Sequence, residues 1–297
     1  MKLEKIKGNT YYINAPTNVG VYVFKNKNCI LMDTGINNTQ AKKIDEILVE
    51  NGLHPKYIIN THSHADHCGG NHYFLNTYPG CTVYASETEK LYMENPELLD
   101  TLLFSASPVK GLSSGYKPLK VDFTLETGIQ KINDEKFEII SLQGHSAGQI
   151  GIITPEKVCF VGDAVFSEEI IEKYRFPYLF DIQQSLDTLQ NLKNIDADYY
   201  VISHSEGWTS QEQMGALLEE NIGNIEKFVQ QMLELLDQSL TREDILENIS
   251  VLNELSMGFK QYFRNLSTTS AFIKYLMNKN LLDFSIENGK LYYFKKP

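Results

Sequence analysis

A chain of 297 residues, 42% of them hydrophobic, is long enough for one large domain or for one domain with a smaller appendage. Its net charge of −11 disfavours a nucleic-acid or anionic-membrane partner, and no stretch approaches the roughly 20 apolar residues of a membrane-spanning helix. The N-terminal residues carry no apolar core of a secretory signal, and Cys29, Cys68, Cys81 and Cys159 show no CxxC spacing, so the expectation is a cytoplasmic protein with reduced thiols.

In chain order, residues 11–14, 19–24 and 29–32 read as strands, with a hairpin turn at 25–28 joining the second and third. Asn38 is expected to cap a helix in which Ala41, Ile44, Ile47 and Leu48 recur at helical spacing. Residues 57–60 form a short apolar strand that runs into the densest polar feature of the chain, Thr61-His62-Ser63-His64-Ala65-Asp66-His67-Cys68-Gly69-Gly70. Three of the seven histidines and one aspartate lie within these few residues. His62 and His64, two apart, leave the same face of an extended segment, whereas Asp66 and His67 diverge and can serve a second centre. Neutral imidazole and carboxylate suit zinc, and also iron or manganese. Asp66 precedes a predicted helix, whose free N–H groups and positive dipole end hold a carboxylate in place. Gly69 and Gly70 let the backbone pass close to the site. Cys68 reads as a space-filling side chain, with a redox-sensitive thiol as the alternative. His54 and His72 read as surface or packing residues.

Residues 81–85 form a strand, and Ser86 caps a helix with Glu89 in the capping-box position. The segment 95–120, punctuated by Pro96, Pro108, Gly111, Gly115 and Pro118, fits no period and reads as a substrate wall or as a plain surface excursion. Phe104 and Tyr116 are its candidates to line a pocket. Residues 137–140 form a strand leading to His145, and the strands 149–153 and 158–161 lead to Asp163. Tyr174, Phe176 and Tyr178 follow as a candidate pocket wall, with core packing as the competing account. Asp181 caps a helix bearing Leu186, Leu189 and Leu192, and the strand 199–202 ends at His204. The composition shifts beyond Trp208, which divides the chain into residues 1–210 and 211–297. The second part reads as a long helix to about 239, a helix opened by Thr241, a helix around 271–276, and a hairpin turning at Asn288-Gly289. Helices ending in a hairpin look like a winged-helix-type module, but Tyr292 and Tyr293 make no basic wing. A packing, capping or dimerising role is favoured over DNA contact.

The run His62-x-His64-x-Asp66-His67 before Gly69-Gly70 is joined by three further sites. They are His145 in Gly144-His145-Ser146-Ala147-Gly148-Gln149, Asp163 in Gly162-Asp163-Ala164, and His204 in Ile202-Ser203-His204. Together they resemble the metallo-β-lactamase superfamily over most of the first 208 residues. The resemblance implies an α/β fold, a four-layer αββα sandwich, here with a smaller, mainly helical C-terminal module ending in a β-hairpin. It implies two divalent metal ions, zinc first, with iron or manganese as alternatives. His62, His64 and His145 would hold one, Asp66, His67 and His204 the other, with Asp163 between them and Asp33 in a supporting role. It further implies a hydrolase that uses a metal-bridging hydroxide to cleave an ester, thioester or lactone bond in a small substrate, with Asp66 or Asp163 passing the proton. The ligand set is that of glyoxalase II and the lactone hydrolases; the best-known β-lactamase class has cysteine where Asp163 stands. The competing readings are a mononuclear-iron, persulfide dioxygenase-like oxidoreductase and a phosphodiester hydrolase. A homodimer is one option for the C-terminal part.

Overall fold

The protein is described by a computed structural model over residues 1–112 and 117–296. Its first sheet holds β1 (Leu3–Lys7), β2 (Thr10–Ile13), β3 (Val19–Val23), β4 (Asn28–Met32), β5 (His54–Ile59), β6 (Thr82–Ala85) and β7 (Phe123–Thr124), in that spatial order. β1 to β4 form an antiparallel meander, and β4 to β7 run parallel. The second sheet holds β8 (Gly128–Ile132), β9 (Glu135–Ser141), β10 (Ile150–Ile153), β11 (Val158–Phe160), β12 (Tyr199–Val201) and β13 (Thr209–Ser210), and only its β11–β12 pair is parallel.

The pleat sorts the apolar residues into layers. On β4, Ile30 and Met32 enter the core between the sheets with Tyr22, Phe137, Ile152 and Phe160, while Cys29 and Leu31 turn to the opposite face. There they meet Ala41, Ile44 and Leu48 of α1 (Asn38–Glu50) and Phe74 of α3 (Asn71–Thr77). On the second sheet, Cys159 and Tyr200 face outward onto α7 (Ile182–Leu192) and α8 (Gln211–Leu235). Strands covered on both faces read as continuous apolar runs rather than as alternating ones, which is why β4 and β10 were legible. The result is the four-layer αββα arrangement. Short helices occupy the connections: α2 (Ala65–Cys68), α4 (Glu87–Glu94), α5 (Glu97–Phe104) and α6 (Glu168–Tyr174).

The C-terminal part is helical and ends in a strand pair, with α9 (Arg242–Leu252), α10 (Phe259–Asn278), β14 (Leu282–Glu287) and β15 (Lys290–Lys295) after α8. Residue 210 is the N-cap of α8, in a capping box with Gln213. Beyond it the outer core of the second sheet continues without a break: Phe228, Ile245, Ile249, Phe272 and Leu276 share one cluster with Phe176, Leu189 and Ile202. The Thr268 hydroxyl accepts from Leu179 N at 3.2 Å, and the Lys274 ammonium pairs with Asp181. Two local readings change. Asn37, not Asn38, caps α1, and α10 begins at Phe259, well before residue 271. No helix among the described residues is long and apolar enough to cross a membrane.

Candidate metal centre

The site stands where five strands end. Parallel pairing of β4 with β5 sets Met32 beside Ile59, so Asp33 lies against the start of the His62 loop. Asp33 sits at φ 64°, a left-handed conformation uncommon outside glycine and tolerated by aspartate. From there its carboxylate accepts from Thr61 N at 2.9 Å and Thr61 Oγ1 at 2.8 Å, and it holds His67 Nδ1 at 2.8 Å. Below the loop, Asn71 Nδ2 donates to Asn60 Oδ1 at 2.7 Å, and Thr34 Oγ1 donates to Asn71 Oδ1 at 2.7 Å. Gly69 and Gly70 press on the backbone of residues 34–36; an added Cβ would lie 2.1 Å from Ile36 O and 2.3 Å from Thr34 O. His145, Asp163 and His204 arrive from the loops after β9, β11 and β12.

These loops bring the seven side chains into two adjoining groups. Donor atoms of His62, His64 and His145 lie within 4.8 Å of one another, as do those of Asp66, His67, Asp163 and His204. His64 Nδ1 is 3.1 Å from His62 Nε2 and 2.9 Å from His145 Nε2. Asp163 reaches both groups, with Oδ2 3.5 Å from His145 Nε2 and 3.6 Å from His204 Nε2, and Oδ1 3.3 Å from His67 Nε2. Asp66 Oδ2 is 3.3 Å from His204 Nε2. Remote partners fix the rings. His145 Nδ1 donates to Tyr178 O at 3.0 Å and His204 Nδ1 to Pro16 O at 2.8 Å, so each Nε2 turns inward.

The donor set fits divalent cations. His67 Nε2 is fully buried and meets hydrogen-bond geometry with no group of the protein, although it faces Asp163. A buried ring nitrogen is seldom left so. Burial holds His64 and His145 down at about 4 and His62 well below its usual range, so all three are neutral donors at pH 7. In the other group burial again opposes charge, but contacts with Asp163 and Asp66 outweigh it and lift His204 to about 10. The charges of Asp163 and Asp33 lift His67 likewise. In the protein alone, protons on these two rings supply the positive charge that the paired carboxylates require, and a cation would supply it instead.

A family description, Metallo-beta-lactamase superfamily, matches residues 13–204. The chain belongs to this superfamily. Glyoxylase B2 of Dictyostelium discoideum is 29% identical over 160 residues, 48% of this chain and 50% of that protein. Hydroxyacylglutathione hydrolase GloC of Haemophilus influenzae is 30% identical over 146 residues, 47% of this chain and 62% of that protein. The chain thus spans only about half to three fifths of these curated relatives. Solved structures match further. A metallo-beta-lactamase family protein from Thermus thermophilus has a TM-score of 0.73 at 18% identity, covering 97% of this chain and 99% of that one. A beta-lactamase domain protein from Burkholderia ambifaria has a TM-score of 0.74 at 13% identity, covering 99% and 93%. At such identities these two speak for the fold alone.

The candidate site opens into a cavity of about 900 Å³. Tyr174 and Tyr178 line it, and the Tyr178 ring stands 5.7 Å from that of His64 and 5.6 Å from that of His145. Phe176 also borders the cavity, but it is only 1% exposed and its ring packs against Phe228 and Phe272. Phe104 is not part of the lining, because its ring meets Phe263 and fastens α5 to α10; Leu99, Leu102 and Leu103 of α5 face the cavity in its place. Tyr116 lies outside the described residues. Cys68 is buried, and burial pushes its thiol up, in keeping with the space-filling reading. His72 is a lining residue.

Two features escaped the sequence. Glu89 is fully buried, but its carboxylate turns away from its own N-cap. Oε2 accepts from Ser63 N at 2.8 Å, and Oε1 accepts from Ser146 Oγ at 2.7 Å and Gly148 N at 2.8 Å. It ties the His62–His64 loop to the His145 loop. The capping-box motif at Ser86 was the only local signal, and it pointed elsewhere. The second is a cationic face of α10, Lys260 and Arg264, on the cavity. No local pattern marks it, because its partners are brought there only by the fold.

Proposed function

We propose that this chain is a binuclear metal-dependent hydrolase of thioesters or related acyl esters in small molecules. The observation that carries the reading is the convergence of seven imidazole and carboxylate donors in two groups that Asp163 joins, with His64, Asp66, His145, Asp163 and His204 lining one cavity. His62, His64 and His145 would hold one cation, and Asp66, His67 and His204 the other. Relatives named hydroxyacylglutathione hydrolase support the thioester class. When bound, divalent metal, zinc first and iron or manganese otherwise, supplies Lewis acidity and water of lowered pKa.

The residues of the chain provide the rest. Glu89 and Asp33 hold the donor loops in place, and the Tyr178 carbonyl keeps His145 Nε2 directed inward. Water adds to the acyl carbon, the C–S or C–O bond breaks, and the departing thiolate or alkoxide takes a proton, giving one acid and one thiol or alcohol. Asp66, about one third exposed at the cavity floor, is placed to carry that proton. Its shift well below the usual carboxylate range belongs to the metal-free site, where burial is outweighed by His204 and His67.

The test is thiol release from a panel of thioesters by protein loaded with zinc, manganese or iron, together with metal content. Hydrolysis at about two metal ions per chain is expected. One iron per chain, with oxygen uptake on a persulfide and no thiol release, would overturn the reading.

A further inference from the structure

The cavity above the ligand groups has two kinds of wall. Leu99, Leu102 and Leu103 of α5 and Ile170 of α6 offer aliphatic carbon, and Leu102 is 50% exposed into it. Facing them, α10 presents Lys260 and Arg264, one helical turn apart on the same face, with Gln261 beside them. Ser267, one turn further on, hydrogen-bonds the Tyr178 hydroxyl. Arg264 stands close enough for its charge to act on His64 and on Tyr178.

The chain has three arginines. Arg175 and Arg242 are paired with Glu254 and Glu243. Among the described residues Arg264 has no carboxylate within ion-pair distance, nor does Lys260, although Glu169 and Glu206 also belong to the cavity lining. Two like charges a turn apart destabilise a helix slightly when nothing lies between them. A guanidinium beside an apolar wall is suited to a planar anion, which it binds through two parallel hydrogen bonds. The aliphatic wall asks for a different part of the same molecule, and about 900 Å³ is ample for both.

We infer that the substrate is an amphipathic acyl compound. A carboxylate or phosphate is held by Arg264 with Lys260, an aliphatic or aromatic acyl group lies along α5 and α6, and the scissile bond lies over the ligand groups. This rests on the hydrolase reading and narrows it. A short hydroxyacyl group would leave the α5 wall uncovered.

The experiment compares four thioesters: S-octanoyl mercaptopropionate, S-octanoyl mercaptoethyl phosphate, uncharged S-octanoyl N-acetylcysteamine, and S-hydroxyacetyl mercaptopropionate. The charged octanoyl thioesters should exceed the other two in kcat/KM by about tenfold or more, and their ratio to each other says whether carboxylate or phosphate is the anion. Arg264→Gln should reduce the charged-over-neutral ratio by about ten- to hundredfold, mainly through KM, the range a charge-assisted hydrogen bond supplies. Arg264→Lys should restore part of it. Lys279→Gln, exposed at the far end of α10, should leave the ratio as it is. If no thioester is cleaved, the hydrolase reading fails, and calorimetry with octanoate, octyl phosphate and 1-octanol decides the anion site separately. There Arg264→Gln should weaken the two anions about tenfold and leave octanol alone. Equal affinity of wild type and variant for the anions, or equal kcat/KM for charged and neutral octanoyl thioesters, would overturn the inference.

Discussion

Glu89 is a carboxylate without solvent, and its three accepted hydrogen bonds come from two separate loops that carry metal-site histidines. Glu89→Gln keeps the shape but converts one acceptor oxygen to a donor, facing either Ser63 N or the Ser146–Gly148 turn. An unsatisfied buried group of this kind costs about 1–3 kcal/mol. The expected outcome is a Tm lower by several degrees and a metal affinity weaker by about 10- to 100-fold, read by melting and by competition with a chelating dye. Asp33→Asn should weaken metal binding similarly and also lower Tm, because it disturbs the support of His67 and the bonds from Thr61 N and Oγ1 while leaving the candidate donors in place. His62→Ala and Asp163→Ala should each abolish hydrolysis and lower metal content, one as a terminal donor and the other as a bridge. Near-normal turnover with full metal in either would remove that residue from the site. The seven candidate donors were legible because metal chemistry demands particular residue types and most of them stand in one short run. Glu89 was not, because a helix-capping motif at Ser86 explained it locally, while its partners lie 26, 57 and 59 positions away.

Among the elements, α10 links the core of the second sheet to the cavity. One face carries Ala271, Phe272, Ile273 and Leu276 into the core of the second sheet, and the other reaches the cavity with Lys260 and Arg264. Its N-terminus begins at Gly258 with no side-chain cap, so the sequence offered no start signal there, and the apolar run 271–276 alone was visible. The terminal hairpin, by contrast, was marked by Asn288-Gly289 between apolar strands, and Asn288 at φ 50° with Gly289 at φ 80° makes the turn those residues favour. Deleting residues 241–297 would strip Ile245, Ile249, Phe272 and Leu276 from that core and leave Phe176 and Phe228 uncovered. Each lost large apolar contact is worth about 2–5 kcal/mol in a packed core, more in sum than a domain of this kind has to spare. The truncated chain should associate or precipitate, seen by size exclusion and by dye binding to exposed apolar surface. A soluble truncation with unaltered oligomeric state and kinetics would show that α9 and α10 form an independent unit.

For the molecule as a whole, the proposed metal binding would make occupancy and folding one equilibrium. The donor loops are fixed by groups distant in sequence: Asp33 from β4, Tyr178 from the aromatic wall, Pro16 from the β2–β3 connection and Glu89 from α4. An unfolded chain cannot assemble them, so cations that bind there would bind the native state almost exclusively and stabilise it by mass action. At free metal about 1,000 times Kd, one site adds about 4 kcal/mol, and for a chain of this size that moves Tm by roughly 10 °C. Removing metal with a chelator should therefore lower Tm by that order, and zinc should restore it. The same treatment of Asp163→Ala should produce a much smaller shift, because the bridge between the two groups is gone. A wild-type Tm unchanged by chelator, in protein shown by elemental analysis to have held metal beforehand, would mean that the donors are assembled by the fold without being coupled to it.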